Sequence, residues 1–286
     1  MNIMISGASG LVGSDLIKPL LEENHKIIAI YRSKNKARKN ISHKNLIWKK
    51  IDLKDRISLK RRVDIILHCA VAHPFSKKNK IDNYVSSNIL SLINLVDFAK
   101  RSKTKMIINF SSLKIYGKIN VKRLNEEYIP LKQDLLGLTK YLSEKYLFKQ
   151  PVNFINLRFP GVLCSTKNNP RPWLQTLINK IKNNNEVKVH NLNSYFNNVI
   201  DTKEIVRFIL MIIKKRKNIR DTFNLSASKP LKLKSIIDII KTKYHSKSKI
   251  KNIEKKNKSF VLSISKIKKK LNFHPASTKK IIMRNL

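Results

Sequence analysis

Short apolar runs alternate with longer amphipathic segments from the start of the chain to about residue 158. The apolar runs are typical of strands that are covered on both faces, and they predict strands over 2-6, 26-31, 46-51, 63-68, 105-110 and 152-158. The amphipathic segments predict helices over 11-23, 84-101 and 131-149. Because strands that alternate with helices form parallel sheets, the pattern predicts an α/β fold with a doubly wound parallel sheet of the Rossmann type.

Three glycines, Gly7, Gly10 and Gly13, fill the turn between the first predicted strand and helix, in a chain that has only 6 glycines. Average usage would give about 20, so the glycines present mark positions that do not tolerate a side chain. Gly7 permits the turn, Gly10 lets the backbone approach a pyrophosphate, and Gly13 lets the helix pack close to the strand. A helix N-terminal loop without a ligand is the alternative interpretation.

Several segments resemble, in order and spacing, the extended short-chain dehydrogenase/reductases and, more narrowly, the NAD-dependent epimerase/dehydratase family that acts on nucleotide sugars. They are SGASGLVGS at 6-14, IDL at 51-53, LHCAVA at 67-72, FSSLKIYG at 110-117, GLTKYLSE at 137-144 and LRFPGVL at 157-163. Further similarity at 197-206, 221-226 and 263-275 extends the resemblance over nearly the whole chain. It implies an NAD(P)-binding Rossmann domain over 1-158 and a smaller, mainly substrate-binding region over 159-286.

The resemblance also implies which residues bind the cofactor. The pyrophosphate loop matches Gly7, Ser9, Gly10, Leu11, Val12 and Gly13. Asp52 and Leu53 match the pair that contacts the adenine, although Asp52 could instead cap a following helix. Ala70, Val71 and Ala72 match the loop that crosses over the cofactor, with ordinary core packing as the alternative.

The second predicted strand ends in Tyr31-Arg32-Ser33-Lys34, which contains no acid. In the family an acid at this point bonds the ribose 2′-hydroxyl of NAD, and an arginine accommodates the 2′-phosphate of NADP. Arg32 therefore favours NADP as the cofactor, and NAD stays open as the alternative.

The family's chemistry uses a Ser or Thr, a Tyr, and a Lys four residues after the Tyr. The phenol is the general acid and base, the ammonium lowers the phenol pKa, and the hydroxyl holds the reacting oxygen. Ser112 and Lys140 match the Ser and the Lys, so the resemblance makes them the catalytic residues and Lys140 also a cofactor ligand. The Tyr position, however, is Leu136.

A second register is offered by Tyr141 and Lys145, which form a literal Y-x-x-x-K on the same predicted helix. Five residues along an α-helix rotate a side chain by about 140° and advance it by ~7.5 Å, so position 141 does not occupy the place of position 136. Tyr116 and Tyr128 are the other candidate phenols, and Tyr116 could equally pack beside Ser112.

Four further residues could belong to a site. Arg158 follows an apolar strand and Arg171, with Trp173, opens the next predicted helix, so either arginine could meet a substrate diphosphate or serve a structural or solvated role. His68 and His73 flank the loop at 69-72. Two histidines without an acidic or cysteine cluster do not make a metal site, so no metal is predicted.

The composition excludes several classes of protein. With 42% hydrophobic residues the chain is not intrinsically disordered. Cys69 and Cys164 lie far apart without a paired spacing, which argues against a Cys-ligated zinc site or a disulfide framework and favours a cytoplasmic location. The N-terminus lacks a signal-peptide pattern, and no apolar run reaches the ~18 residues of a membrane span.

The net charge is strongly positive but does not by itself identify a binding partner. Against 18 acidic residues there are 61 Lys and Arg, a net charge of +43. Such a charge is typical of nucleic-acid-binding proteins. Lys, Asn and Ile are nevertheless over-used along the whole length, as codon drift in an AT-rich genome would produce, so specific nucleic-acid binding is not expected.

The function that these observations favour is NAD(P)-dependent epimerisation, dehydration or reduction of a nucleotide sugar. Two alternatives stay open: a non-catalytic NAD(P)-binding protein of the same fold, favoured by Leu136, and a nucleic-acid-associated member of the fold, favoured only by charge. The resemblance implies a homodimer formed through the predicted helices at 84-101 and 131-149. No membrane partner is expected.

Overall fold

The structure, a computed structural model, describes residues 1–32, 41–72, 81–164, 173–215, 217–254 and 259–286. The chain forms two compact units. The first consists of Met1–Gly117, Pro130–Arg158 and Val206–Phe223, and the second of Lys118–Ile129, Phe159–Ile205 and Asn224–Leu286. The residue-158 boundary recurs in this division, but both units are built from separate stretches of chain.

The elements follow one another in alternation through most of the chain. The strands are β1 (Asn2–Ser6), β2 (Lys26–Tyr31), β3 (Leu46–Lys50), β4 (Ile65–His68), β5 (Met106–Ser112), β6 (Arg123–Leu124), β7 (Phe154–Phe159), β8 (Gly161–Leu163), β9 (Val187–His190), β10 (Tyr195–Phe196), β11 (Val199–Asp201), β12 (Arg220–Asn224), β13 (Leu231–Lys232), β14 (Ile250–Ile253) and β15 (Val261–Leu262). The helices are α1 (Leu11–Glu22), α2 (Ile81–Tyr84), α3 (Ser91–Arg101), α4 (Leu135–Phe148), α5 (Trp173–Lys182), α6 (Thr202–Lys215), α7 (Leu233–Tyr244), α8 (Ser265–Leu271) and α9 (Thr278–Asn285). A π-helix (Val85–Leu90) joins α2 to α3, and a 3-10 helix (Leu113–Tyr116) follows β5.

Seven strands form one sheet in the order β3-β2-β1-β4-β5-β7-β12. β1 pairs in parallel with both β2 and β4, and the β2–β3 and β4–β5 pairs are parallel too. The strand order therefore reverses between β1 and β4. Open α/β sheets bind ligands beyond the carboxyl ends of their strands at such a switch point. The predicted doubly wound parallel sheet is confirmed.

An apolar layer joins one face of the sheet to α3 and α4. The sheet contributes Met4, Ile66, Ile107 and Phe154, and the helices contribute Leu92, Leu95, Val96 and Leu147, all buried. Each such side chain contributes about 1.5–3 kcal/mol to folding when it is fully buried. This layer fixes the two helices against the strands that carry the candidate site.

The observed bounds of three elements differ from the predicted ones. α4 begins at Leu135 rather than at residue 131, because the Asp134 carboxylate accepts the N–H of Gly137 at 2.8 Å and so caps the helix there. The helix predicted over 84-101 contains the π-helical segment and is preceded by α2. β5 continues to Ser112, which places that hydroxyl at the end of a sheet strand.

The second unit is held by short strand pairs. β8 pairs with β11, β9 with β14 and β6 with β15 in parallel, and β10 pairs with β13 antiparallel. Arg284 of α9 forms ion pairs with Asp201 and with Glu204, the latter at 3.1 Å, which fixes the C-terminal helix to this unit. Among the helices of the described residues, none combines the length and the apolar character that crossing a membrane requires.

Candidate functional site

The turn from β1 into α1 forms a backbone cradle beside the switch point. Gly7 has a φ of +66°, and a Cβ there would lie 2.7 Å from the backbone N of Ala70. A Cβ on Gly13 would collide with the carbonyl oxygen of Gly7, which accepts the N–H of Gly10 at 2.9 Å. Gly10 caps α1 without a side-chain hydrogen bond, so the first N–H groups of the helix are not used by a capping side chain. Such N–H groups at a helix N-terminus can bind an anion.

Of the other predicted cofactor residues, Ser9 lies in the same turn, Leu11 and Val12 begin α1, and residues 70–72 follow β4. Ser9 and Val12 are half-buried, and Leu11 is exposed. Val71 is exposed, and the N–H of Ala72 donates to Asn88 Oδ1 at 3.0 Å.

Asp52 and Leu53 begin a turn after β3. Asp52 Oδ1 accepts the N–H of Lys54 at 3.1 Å, and the residues that follow form a turn, so the interpretation of Asp52 as a helix cap is wrong. Leu53 is buried, and its carbonyl accepts the amide of Asn94 at 2.9 Å. Arg32 follows β2 and is exposed, whereas residues 33 and 34 lie outside the described residues.

Ser112 and Lys140 come from β5 and α4. Ser112 is half-buried, and its Oγ accepts the N–H of Lys114 at 3.1 Å. Lys140 is only 2% exposed, and its Nζ donates to the carbonyl oxygen of Phe110 at 2.9 Å. Leu136, one helical turn before Lys140, is buried on the same face of α4. The structure thus puts a leucine and a lysine, rather than a phenol and a lysine, on the face of α4 that packs on the sheet.

Burial changes the proton affinity of Lys140. Desolvation lowers the pKa of its ammonium to about 8, against the opposing influence of Cys69 and Glu144. Burial likewise raises the pKa of the Cys69 thiol. No carboxylate among the described residues lies within ion-pair distance of Lys140 Nζ, so this ammonium is buried without a charged partner.

Arg158 is engaged in a buried network beside Lys140. It donates to Glu144 from Nε at 3.1 Å and from Nη2 at 2.6 Å, and Ser111 Oγ donates to the same carboxylate at 2.6 Å. Its guanidinium also lies 4.9 Å from the ring centre of Tyr116 and hydrogen-bonds the Tyr116 side chain, which is fully buried. Of the roles proposed for Arg158, this geometry favours the structural one.

The remaining candidate phenols have partners of their own. Tyr141 lies outside the buried face of α4, with Lys145 Nζ 5.1 Å from its ring centre. The Tyr128 hydroxyl donates to the carbonyl of Lys118 at 2.9 Å and accepts the N–H of Asn120 at 3.2 Å. The literal Y-x-x-x-K is therefore a contact on the outer side of the helix.

A row of buried polar side chains crosses five neighbouring strands beneath the carboxyl edge of the sheet, and sequence reasoning missed it. In sheet order its members are Ser6, His68, Asn109, Asn156 and Thr222. Ser6 Oγ lies 2.7 Å from His68 Nδ1, Asn109 donates to Asn156 at 2.8 Å, and Asn156 donates to Thr222 at 3.1 Å. The available signal was a polar residue inside or at the end of each of four apolar runs.

The row is interrupted between β4 and β5. His68 pairs with Asn109 in the strand register, yet His68 Nε2 and Asn109 Oδ1 are both buried without a hydrogen-bond partner in the described part of the chain. Burial, and next the positive charge of Lys140, hold the pKa of His68 well below its usual value. His68 is therefore a neutral imidazole at neutral pH.

The second unit contains a cavity of about 850 Å³. Two cations, Lys122 and Arg123, and two aromatic side chains, Tyr195 and Phe260, line it together with amides such as Asn252. Trp173 packs elsewhere in this unit, edge-on against Phe196 at 5.2 Å. Arg171 and His73 lie outside the described residues.

Comparisons with known proteins agree on one family. Residues 3–226 match the family model described as the NAD dependent epimerase/dehydratase family. Among curated proteins, the CDP-abequose synthase of Salmonella muenchen is 26% identical, over 87% of this chain and 82% of its own length. An uncharacterised UDP-glucose epimerase of Bacillus subtilis, YtcB, is also 26% identical, over 98% of this chain and 95% of its own length.

Solved structures share the fold. A UDP-glucuronic acid 4-epimerase from Bacillus cereus, in complex with NAD, matches with a TM-score of 0.83 and 18% identity, over 100% of this chain and 97% of that one. A UDP-N-acetylglucosamine 4-epimerase from Methanobrevibacter ruminantium matches with a TM-score of 0.81 and 22% identity, over 99% and 96%. At these identities the matches establish the fold alone.

Proposed function

This chain belongs to the NAD-dependent epimerase/dehydratase family, and on that premise we propose that it binds NAD or NADP and epimerises, dehydrates or reduces a nucleotide sugar. The observation that carries the proposal is the first unit's combination of a glycine cradle at the switch point with Ser112 and Lys140 at the end of β5 and on α4. The cofactor, when bound, accepts and returns a hydride. Every other role belongs to residues of the chain.

We assign those roles as follows. The pyrophosphate is held by Gly7, Ser9, Gly10, Leu11, Val12 and Gly13. Asp52 and Leu53 contact the adenine, residues 70–72 cross over the cofactor, and Lys140 binds it from α4. Ser112 holds the reacting oxygen of the sugar, because among the described residues its hydroxyl accepts one local backbone N–H and keeps its own proton to donate.

We propose NADP as the preferred cofactor over NAD. Arg32 is exposed at the end of β2, where a 2′-phosphate would lie in the family's binding mode, and Tyr31 and Arg32 bring no acid to that point. The related structure from Bacillus cereus holds NAD, so both cofactors belong in the test.

We propose that the cavity of the second unit binds an anionic ligand of the nucleotide class. Lys122 and Arg123 would neutralise phosphate charge beside the acid Glu254, and Tyr195 and Phe260 offer aromatic faces for a base. Replacement of Arg123 by Gln should weaken the binding of UDP without changing cofactor affinity.

A non-catalytic cofactor-binding protein is the second candidate. The specific observation that favours it is Leu136, which is buried on the face of α4 that carries Lys140 and supplies no proton. Both candidates require the cofactor.

The deciding experiment is a fluorescence titration with NADH and NADPH. Saturable binding of either, tighter for NADPH, is the expected result. An absence of saturable binding at millimolar cofactor would contradict the enzyme and the non-catalytic candidate together. With binding established, turnover of UDP-glucose, UDP-glucuronic acid and UDP-N-acetylglucosamine separates the two candidates.

A further inference from the structure

We propose that the amine of Lys140 itself carries the proton in this chain, in place of the phenol that Leu136 removes. The inference rests on the proposed function, since it concerns the sugar hydroxyl of that reaction. Its grounds are the engagement of the candidate phenols, the missing ion partner of Lys140 and the composition of its surroundings.

The candidate phenols are bound elsewhere. Tyr116 is fully buried and hydrogen-bonded to Arg158, Tyr128 uses its hydroxyl in two backbone hydrogen bonds, and Tyr141 contacts Lys145 outside the buried face of α4. A proton carrier has to be within hydrogen-bond reach of the reacting oxygen. Each of these phenols would have to abandon its partners or leave its helix face to become one.

Within the described part of the chain, Lys140 has one hydrogen-bond acceptor and no counter-ion. Its Nζ donates to Phe110 O, and that carbonyl stands two residues before Ser112 on the same strand. An ammonium has three donors, so two of them have no protein acceptor among the described residues. The acid nearest along the helix, Glu144, is already bonded to Arg158 and Ser111.

The groups that face Lys140 do not hold its proton firmly. His68 ends β4 and Cys69 follows it; His68 is neutral, and the Cys69 thiol is protonated because burial raises its pKa. Glu144 on α4 is neutralised by Arg158, and Leu136 presents only carbon. Desolvation prevails and brings the pKa of Lys140 to about 8, in the range where a side chain both gives and takes a proton near neutrality.

The step balances with the groups already named. The sugar O–H bond breaks and its proton forms an N–H bond with the neutral Lys140 amine, while the hydride on the same carbon passes to the oxidised cofactor. The carbon is thereby oxidised to a carbonyl and the cofactor reduced. In the reverse direction the Lys140 ammonium returns the proton to the carbonyl oxygen.

The test is single-turnover reduction of bound NAD or NADP by UDP-glucose, UDP-glucuronic acid or UDP-N-acetylglucosamine between about pH 6 and pH 10. Because the base has to be neutral, the wild-type rate should rise with pH through a midpoint near 8. Lys140→Arg keeps the charge but holds its proton, and should be about 10²–10⁴-fold slower with a flat profile. Lys145→Arg, on the outer side of the same helix, is the matched control and should resemble the wild type.

Leu136→Tyr provides the rescue. Added to Lys140→Arg, it restores a phenol one turn from a cation, and the double variant should regain at least about tenfold of the lost rate, within the usual contribution of an acid-base group. If Lys140 only supports other groups, the pH midpoint near 8 should be missing from the wild type. Either that flat profile or a Lys140→Arg rate within about threefold of wild type, far short of an acid-base effect, would overturn the proposal.

A second readout needs no turnover. Calorimetry of cofactor binding near pH 8, in buffers of different ionisation enthalpy, should report proton exchange for the wild type and none for Lys140→Arg. Equal proton exchange in both would also overturn the proposal. Failure of the wild type to bind cofactor contradicts the proposed function itself. Binding without turnover of the three sugars favours the non-catalytic candidate and overturns the role of Lys140 with it, whereas turnover with a flat pH profile contradicts the role of Lys140 alone.

Discussion

Gly7 combines a left-handed backbone conformation with a close backbone contact in the cofactor cradle. Gly7→Ala would hold a side chain at a φ of +66° with its Cβ 2.7 Å from Ala70 N, so we expect a loss of about 2 kcal/mol in the free energy of unfolding and at least about tenfold weaker cofactor binding. Gly10→Ala is the control for stability alone, because Gly10 has a φ of −80° and its Cβ would lie 3.1 Å from Gly7 O, whereas its place in the cradle means that cofactor binding should weaken too. Urea unfolding and cofactor titration measure the two quantities, and equal losses in the free energy of unfolding would contradict this account.

The buried ammonium of Lys140 should lower the free energy of unfolding. A lysine whose pKa falls from 10.5 to about 8 on folding destabilises the native state by about 3 kcal/mol at neutral pH, because the unfolded chain binds the proton more tightly. Lys140→Met removes that penalty and leaves Phe110 O without its donor, which costs about 1 kcal/mol, so a net gain of about 2 kcal/mol is expected.

The size of the stability gain from Lys140→Met depends on pH. Below pH 8 the penalty is fully present, and it disappears as the pH rises toward 10.5, where the unfolded chain also loses the proton. Urea unfolding of both proteins at neutral pH and near pH 10 should show the gain only at the lower pH. A destabilised Lys140→Met variant at neutral pH would mean that Lys140 has a favourable partner in the folded state.

Single residues could be predicted from the sequence where one segment determines the environment. The glycines of the cradle and the leucine at position 136 were of this kind. The partners of Arg158 and the polar row were not, because these contacts join three separate segments, β5, β7 and α4, that only the tertiary fold brings together. Periodicity reports which face a residue occupies and does not report what lies opposite.

At the scale of elements, the long strands of the first unit were predictable because both of their faces are buried and their apolar runs are continuous. The strands of the second unit are mostly two to four residues long, which is too short for any period to register. The start of α4 depended on one carboxylate, Asp134, whose capping bond is not distinguishable in sequence from a solvated acid.

α4 also presents an unpaired apolar stripe. Leu135, Leu138 and Leu142 lie at helical spacing and are 38%, 51% and 51% exposed. We propose that a second copy of the chain covers this stripe, as the family resemblance implies. Leu138→Lys would then bury two like charges near a two-fold axis, which should weaken the association of the two copies by about 2 kcal/mol or more. The mass measured by light scattering should therefore halve.

Met283→Lys provides the control for this interface. Met283 is 47% exposed on α9 in the second unit, so its replacement introduces the same charge on another helix and should leave the mass unchanged. A wild-type protein that is monomeric at micromolar concentration would contradict the proposed dimer directly.

For the molecule as a whole, the discontinuous make-up of the two units could not be predicted from the sequence. The first unit includes residues 206–223, so that β12 extends its sheet, whereas residues 118–129 belong to the second unit. A linear division at residue 158 follows the order of motifs along the chain, but the units are set by strand pairings such as β6 with β15, which join residues far apart in sequence. No local pattern encodes such pairings.

The net charge of +43 also belongs to the whole molecule. Dispersed lysines displace counterions from phosphates without reading bases, so binding to RNA or DNA should be weak, independent of sequence and steeply reduced by salt. Fluorescence anisotropy with two oligonucleotides of different sequence, at low salt and at about 200 mM salt, measures this. Equal affinities that fall by about tenfold or more between the two salt concentrations agree with charge acquired through composition alone. Sub-micromolar binding that persists at about 200 mM, or that differs between the two sequences, would instead require a built surface for nucleic acid and would make that partner part of the protein's function.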